Sequence, residues 1–272
     1  MNLIKMNLHR FFRIKAVYVL MVITMLLVVF TVLDGRSTTK EELELYKQIE
    51  TENGGPSENL GISISILDEF GVEKVASEVI ASQLLLVIIA VFVSYFFNEE
   101  RAKGYLKNLN SCTNHKVFLF LSKIPVVCVL VILLFAGVWL GAAISCDHVL
   151  KNSMSDIITF NLFQILLHIV FGIFICMINE LFRKQILGVI FGVLAAVAVP
   201  SMLVSSVMNM IPGLERLSNI CFFMTAPMVS QIRLNGSLEI PVFKMALFML
   251  TVFLGLIYAV IGSLSIQKRD IY

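Results

Sequence analysis

The sequence predicts an all-α integral membrane protein: six transmembrane helices, an interfacial amphipathic helix before them and a charged cytoplasmic segment between the second and third. Three observations predict it. Hydrophobic residues make up 58% of the 272 residues and charged residues 15%, where a soluble domain carries about a quarter charged. The mean hydropathy of +0.90 is concentrated in six apolar runs. Most approach the roughly 20 residues a helix needs to cross hydrocarbon with its backbone internally bonded. None alternates polar and apolar residues as a membrane β-strand would.

Residues 1–15 form the first element. Lys5, His9 and Arg13 recur every fourth residue with Arg10 beside them, and Ile4, Leu8, Phe11 and Phe12 oppose them. That pattern suits a helix in the inner headgroup layer, cations toward anionic lipid. A membrane domain over 16–272 follows, with spans at Ala16–Leu33, Val79–Phe97, Ile124–Ser145, Phe160–Ile178, Ile186–Met208 and Val242–Ile266. The first run lacks a small-residue cleavage site, so it reads as a retained anchor rather than a signal peptide.

Charge sets the orientation. Thirteen Lys and Arg fall in the two terminal segments and the second and fourth loops, against seven in the other three. Basic residues concentrate on the cytoplasmic side, so both termini are expected there. The first outer loop, 34–78, carries 11 acidic residues against four basic ones, which fits the opposite face. External thiol labelling should therefore modify a Gly55→Cys variant and spare Lys103→Cys; the reverse pattern would invert the orientation.

Between spans five and six, 209–241 is apolar but broken by Pro212, Gly213, Pro227 and Gly236. Irregular backbone at membrane depth needs protein or water around it, so a re-entrant or interfacial element is expected on the outer side. Pro200 is expected to kink span five. Gly137 and Gly141, then Gly188, Gly192 and Ala196, have the small-xxx-small spacing of close helix packing.

The cytoplasmic segment, 98–123, is longer than a simple reversal needs. Asn98 to Leu109 reads as a short amphipathic helix, with Asn98 at its N-cap and Glu99 and Glu100 in the first turn. Ala102, Tyr105, Leu106 and Leu109 line one face, and Arg101, Lys103 and Lys107 occupy others. Such a helix can pack on headgroups or dock in a groove of a cytoplasmic partner.

The run Phe97-Asn98-Glu99-Glu100-Arg101-Ala102-Lys103-Gly104-Tyr105-Leu106-Lys107-Asn108-Leu109, then Lys116, Phe118 and Ser122-Lys123, resembles the signature of ABC-2-type permeases. The family pattern has an acidic residue leaving span two, a Gly soon after, and a Leu-rich turn before a Ser/Ala-Lys entering span three. Tyr105 stands where Thr is common, and Asn114-His115 where a Ser-Arg pair is frequent. The basic start, six spans and broken segment near Pro227 extend the resemblance over nearly the whole chain.

The resemblance implies a type V exporter-like architecture in which Glu99–Leu109 is a coupling helix. Glu99, Glu100, Arg101, Lys103, Gly104, Tyr105, Leu106, Lys107 and Leu109 would meet a cytoplasmic ATPase subunit. Glu180, Arg183 and Lys184, between spans four and five, would form a second contact. It also implies a second permease chain, export, and residence in a bacterial plasma membrane. Permeases of this size resemble those that clear antimicrobial or amphipathic peptides from Gram-positive membranes.

The chain is expected to be no enzyme and to hold no cofactor of its own, with ATP and Mg on the partner. None of its 15 glycines is followed by Lys, whereas a phosphate-cradling P-loop requires Gly-Lys-Ser/Thr. Glu99-Glu100 lacks the Arg four residues on that a glutamate-pair membrane protease needs, because position 104 is Gly. Zinc-protease and serine-hydrolase motifs are missing, as are metal or disulfide spacings among the five cysteines. Nothing resembles a nucleic-acid surface. A gradient-driven transporter would place ionisable groups near the midplane, yet the six runs hold no Asp, Glu or Arg and only Lys244. His168 is the clearest ionisable group deep in a span, expected neutral and bonded to a neighbouring helix.

Overall fold

The computed structural model describes residues 3–33, 71–102, 117–146, 154–182, 185–210, 225–232 and 241–267. Within them every regular element is helical: α1 (Leu3–Arg13), α2 (Lys15–Leu33), α3 (Val72–Ala81), α4 (Gln83–Ala102), α5 (Val117–Leu121) and α6 (Ile124–Ser145). Then come α7 (Met154–Leu181), α8 (Gln185–Ala196), α9 (Val199–Met210), α10 (Thr225–Gln231) and α11 (Pro241–Gln267). Four helices are long and apolar enough to cross a membrane, or up to six spans if α3–α4 and α8–α9 each count as one.

Helix α7 is the hub, with α4, α6, α8, α10 and α11 packed against it. Its length explains the role. Polar residues such as Asp156 and Asn179 extend it at both ends beyond the apolar run at Phe160–Ile178. The buried core runs through Leu85, Leu86 and Ile89 of α4, Leu130 and Leu134 of α6, and Leu167 and Phe171 of α7. Outward faces, such as Phe248, Phe253 and Leu256 of α11, stay apolar and exposed, as lipid-facing surfaces do.

Span two differs from the expectation. Instead of starting at Val79, its helix begins at Val72 and bends by 54° at Ser82. Ser82 Oγ donates to Val79 O at 2.6 Å, and its backbone N–H also bonds that carbonyl. A hydroxyl competing for backbone partners loosens the helical ladder there. Helix α3 then folds against α6 and buries Glu73 and Ser77, so the last part of the expected outer loop belongs to the bundle. Residues 34–70 of that loop lie outside the described residues.

Span five bends by 62° between α8 and α9. Ala198 takes a φ of 59°, the left-handed conformation that ends helices, and Pro200 occupies the first turn of α9, where its missing N–H costs nothing. The expected kink is therefore present, two residues before the proline. Gly137 and Gly141 let α6 approach α2 closely. A Cβ on Gly141 would stand 2.8 Å from Met25 O, and one on Gly137 3.0 Å from Met21 O. Helix α10, within the expected re-entrant region, is buried against α7, α4 and α3; residues 211–224 and 233–240 lie outside the described residues.

Candidate functional site

One end of the bundle gathers α1, the end of α4, α5, the start of α6, the end of α7 and the start of α8. Polar side chains of α1, α4 and α7 and of the α5–α6 junction meet there. The C-terminal part of α11 arrives at the same end, where Gly262 lies against the Phe120 ring.

Three linkages build the site. In the first, the Arg10 guanidinium donates to Phe96 O at 3.3 Å and to Glu99 Oε2 at 3.4 Å, and stands 4.7 Å from the Phe96 ring centroid. Asn7 adds a bond from Nδ2 to Ser122 Oγ at 2.9 Å. In the second, Lys123 Nζ donates to Glu180 Oε1 at 3.3 Å and lies 3.7 Å from the Phe97 ring centroid. In the third, Asn98 Nδ2 donates to Ser94 O at 2.7 Å and to Asn179 Oδ1 at 3.2 Å, while Asn179 Nδ2 donates to Ser94 Oγ at 2.9 Å. Gly188 leaves the space for Asn179: a Cβ there would collide with the Asn179 amide oxygen.

Burial ranks the two ion pairs. The Lys123 and Glu180 side chains are 3% and 6% exposed, those of Arg10 and Glu99 19% and 18%. Removing two charges from water costs several kcal/mol each, so the buried pair contributes to stability only while it stays paired. The pair joins the start of α6 to the end of α7.

The sequence-predicted site residues divide three ways. Glu99 is in the site, paired with Arg10, and Glu180 is in it too, turned inward onto Lys123. Glu100 and Arg101 ride on the last turn of α4. Lys103, Gly104, Tyr105, Leu106, Lys107, Leu109, Arg183 and Lys184 lie outside the described residues. A separate helix beginning at Asn98 is corrected: α4 runs unbroken from Gln83 to Ala102, and Asn98 is an interior residue whose amide bonds Ser94 and Asn179. The apolar face expected on α1 also divides, since Phe11 is fully buried on α4 while Ile4 and Phe12 are exposed. The roles of Arg10, Lys123, Ser94, Asn98 and Asn179 were missed. For Lys123, Asn98 and Asn179 a signal was present: a polar residue at the edge of an apolar run, where a buried group left unsatisfied is costly.

His168 is fully buried and its Nδ1 bonds Gln164 O at 2.7 Å. The partner is one turn back on its own helix, which corrects the expected bond to a neighbouring helix. Among the described residues no three His, Cys, Asp or Glu side chains converge as a metal site. No protein-family model and no curated protein matches the chain.

Proposed function

We propose that the chain is the membrane-spanning permease subunit of an ATP-driven exporter of the ABC-2 type, worked by separate ATPase subunits that dock on the 98–123 segment. The observation that carries this reading is the anchoring of both flanks of that segment. Its first flank is bonded to α1 and α7 through Glu99 and Asn98, and its last is bonded to α1 and α7 through Ser122 and Lys123. Flanks anchored this way would carry a push on the segment into the bundle, whose packed helices can switch between discrete arrangements.

Other features support the same reading. None of the 15 glycines is followed by Lys, so these 272 residues hold no P-loop and the motor lies outside them. The segment's central residues, Tyr105, Leu106 and Leu109, have the spacing of an apolar docking face. A second permease chain completes the pathway in this proposal, and amphipathic peptides are the cargo its apolar helices suit.

Affinity purification from native membranes in mild detergent, with mass spectrometry of the co-purifying proteins, tests the reading. A stoichiometric P-loop partner with nucleotide turnover is expected. The double variant Leu106→Asp, Leu109→Asp should insert normally but lose that partner at least tenfold. Unchanged assembly and transport in the variant would mean the segment only rests on lipid.

A further inference from the structure

Span four carries two buried acceptors whose identity the hydrogen bonding fixes. Gln164 Nε2 donates to Val229 O at 3.0 Å and to Ile232 O at 2.8 Å. Only the NH2 group can donate to two carbonyls, so the amide orientation is set and Oε1 faces away from them. His168 Nδ1 faces a carbonyl, the Gln164 backbone oxygen at 2.7 Å. A carbonyl accepts only, so Nδ1 carries the proton and Nε2 of the neutral ring is a bare lone pair.

Gln164 Oε1 and His168 Nε2 therefore both require a donor, and both are buried with no hydrogen-bond partner among the described residues. They belong to residues one helical turn apart on one face of α7. The Phe135 ring, edge-on to the imidazole with 5.1 Å between centroids, has no hydrogen-bonding atom to give. Buried polar groups are paired in native proteins, with ordered water where protein supplies no partner.

We propose that Gln164 Oε1 and His168 Nε2 form a two-acceptor site inside span four that binds one internal water, a hydrogen from it going to each atom. A neutral molecule with two hydrogens matches two neutral acceptors. A cation would have to shed its hydration with no carboxylate in the pair to compensate. The water completes a chain of bonds from the His168 ring through the Gln164 side chain to the end of α10. It makes the attachment of that short helix to span four a hydrated one, and this holds whatever the protein transports.

Protein labelled with 15N-histidine and held in lipid bilayers tests the site by solid-state NMR, with a His168→Phe sample used only to assign the His168 signals. The expected result is an unprotonated Nε2 at the shift of a hydrogen-bonded imine nitrogen, with magnetisation transfer from water protons. Transfer should fall several-fold in Gln164→Met, while the Nδ1–H signal persists. A non-bonded imine shift with no water transfer in the unaltered protein would overturn the proposal, as would a proton resident on Nε2.

Discussion

Glu180→Gln is expected to lower the thermal unfolding midpoint in detergent far more than Glu99→Gln. Both substitutions keep side-chain volume and delete one carboxylate of an ion pair. The first takes the carboxylate away from Lys123, whose side chain is 3% exposed, and breaking a buried pair costs about 3–5 kcal/mol. The second takes the carboxylate away from Arg10, which is 19% exposed and keeps its bond to Phe96 O, so solvent screens it and the loss is about 1 kcal/mol or less. The double variant Lys123→Met, Glu180→Leu should recover most of the lost stability, because it removes both desolvation penalties together. Equal losses from the two single variants would mean that water reaches Glu180.

Gly188→Ala carries the second large effect. The added methyl would occupy the position of the Asn179 amide oxygen, so Asn179 must move or α8 must retreat from α7. Overpacking of this kind costs about 1–3 kcal/mol. Displacing Asn179 also strips its bonds to Asn98 and Ser94, and each buried amide left unsatisfied adds about 1–3 kcal/mol. A double-mutant cycle with Asn179→Ala checks the cause. If the clash is with that amide, the double variant should lose clearly less than the sum of the single variants. Additive losses would place the strain elsewhere along α8.

The helices were largely legible in the sequence, since a long apolar run has few alternatives in a membrane. Helix α6 has the bounds read from its hydropathy, Ile124–Ser145, and α11 differs from its expected span by one residue at each end. The bend before Pro200 was legible because proline disfavours helix in the residue before it and suits a helix's first turn, whereas the bend at Ser82 was not. Ala81-Ser82-Gln83 contains neither Gly nor Pro, and the packing of α3 on α6 that accompanies the break is a tertiary contact that hydropathy does not encode. The candidate site was half legible. Glu99 and Glu180 were marked by their positions, but their partners lie 89 and 57 residues away. Hydropathy carries no information about which helix ends become neighbours. Asn98 misled for a physical reason: asparagine at an apolar boundary suits an N-cap as well as it suits a buried bond inside a longer helix.

The unbroken run of α4 has a mechanical consequence. Twenty residues of continuous helix form a strut about 30 Å long. One end is clasped by Arg10 and Asn179, and the other stops at the Ser82 elbow, beyond which α3 leans on α10. A tilt imposed near Ala102 is thus delivered, lever-fashion, to the opposite end of the bundle. The elbow decides whether α3 follows the strut or stays with α6.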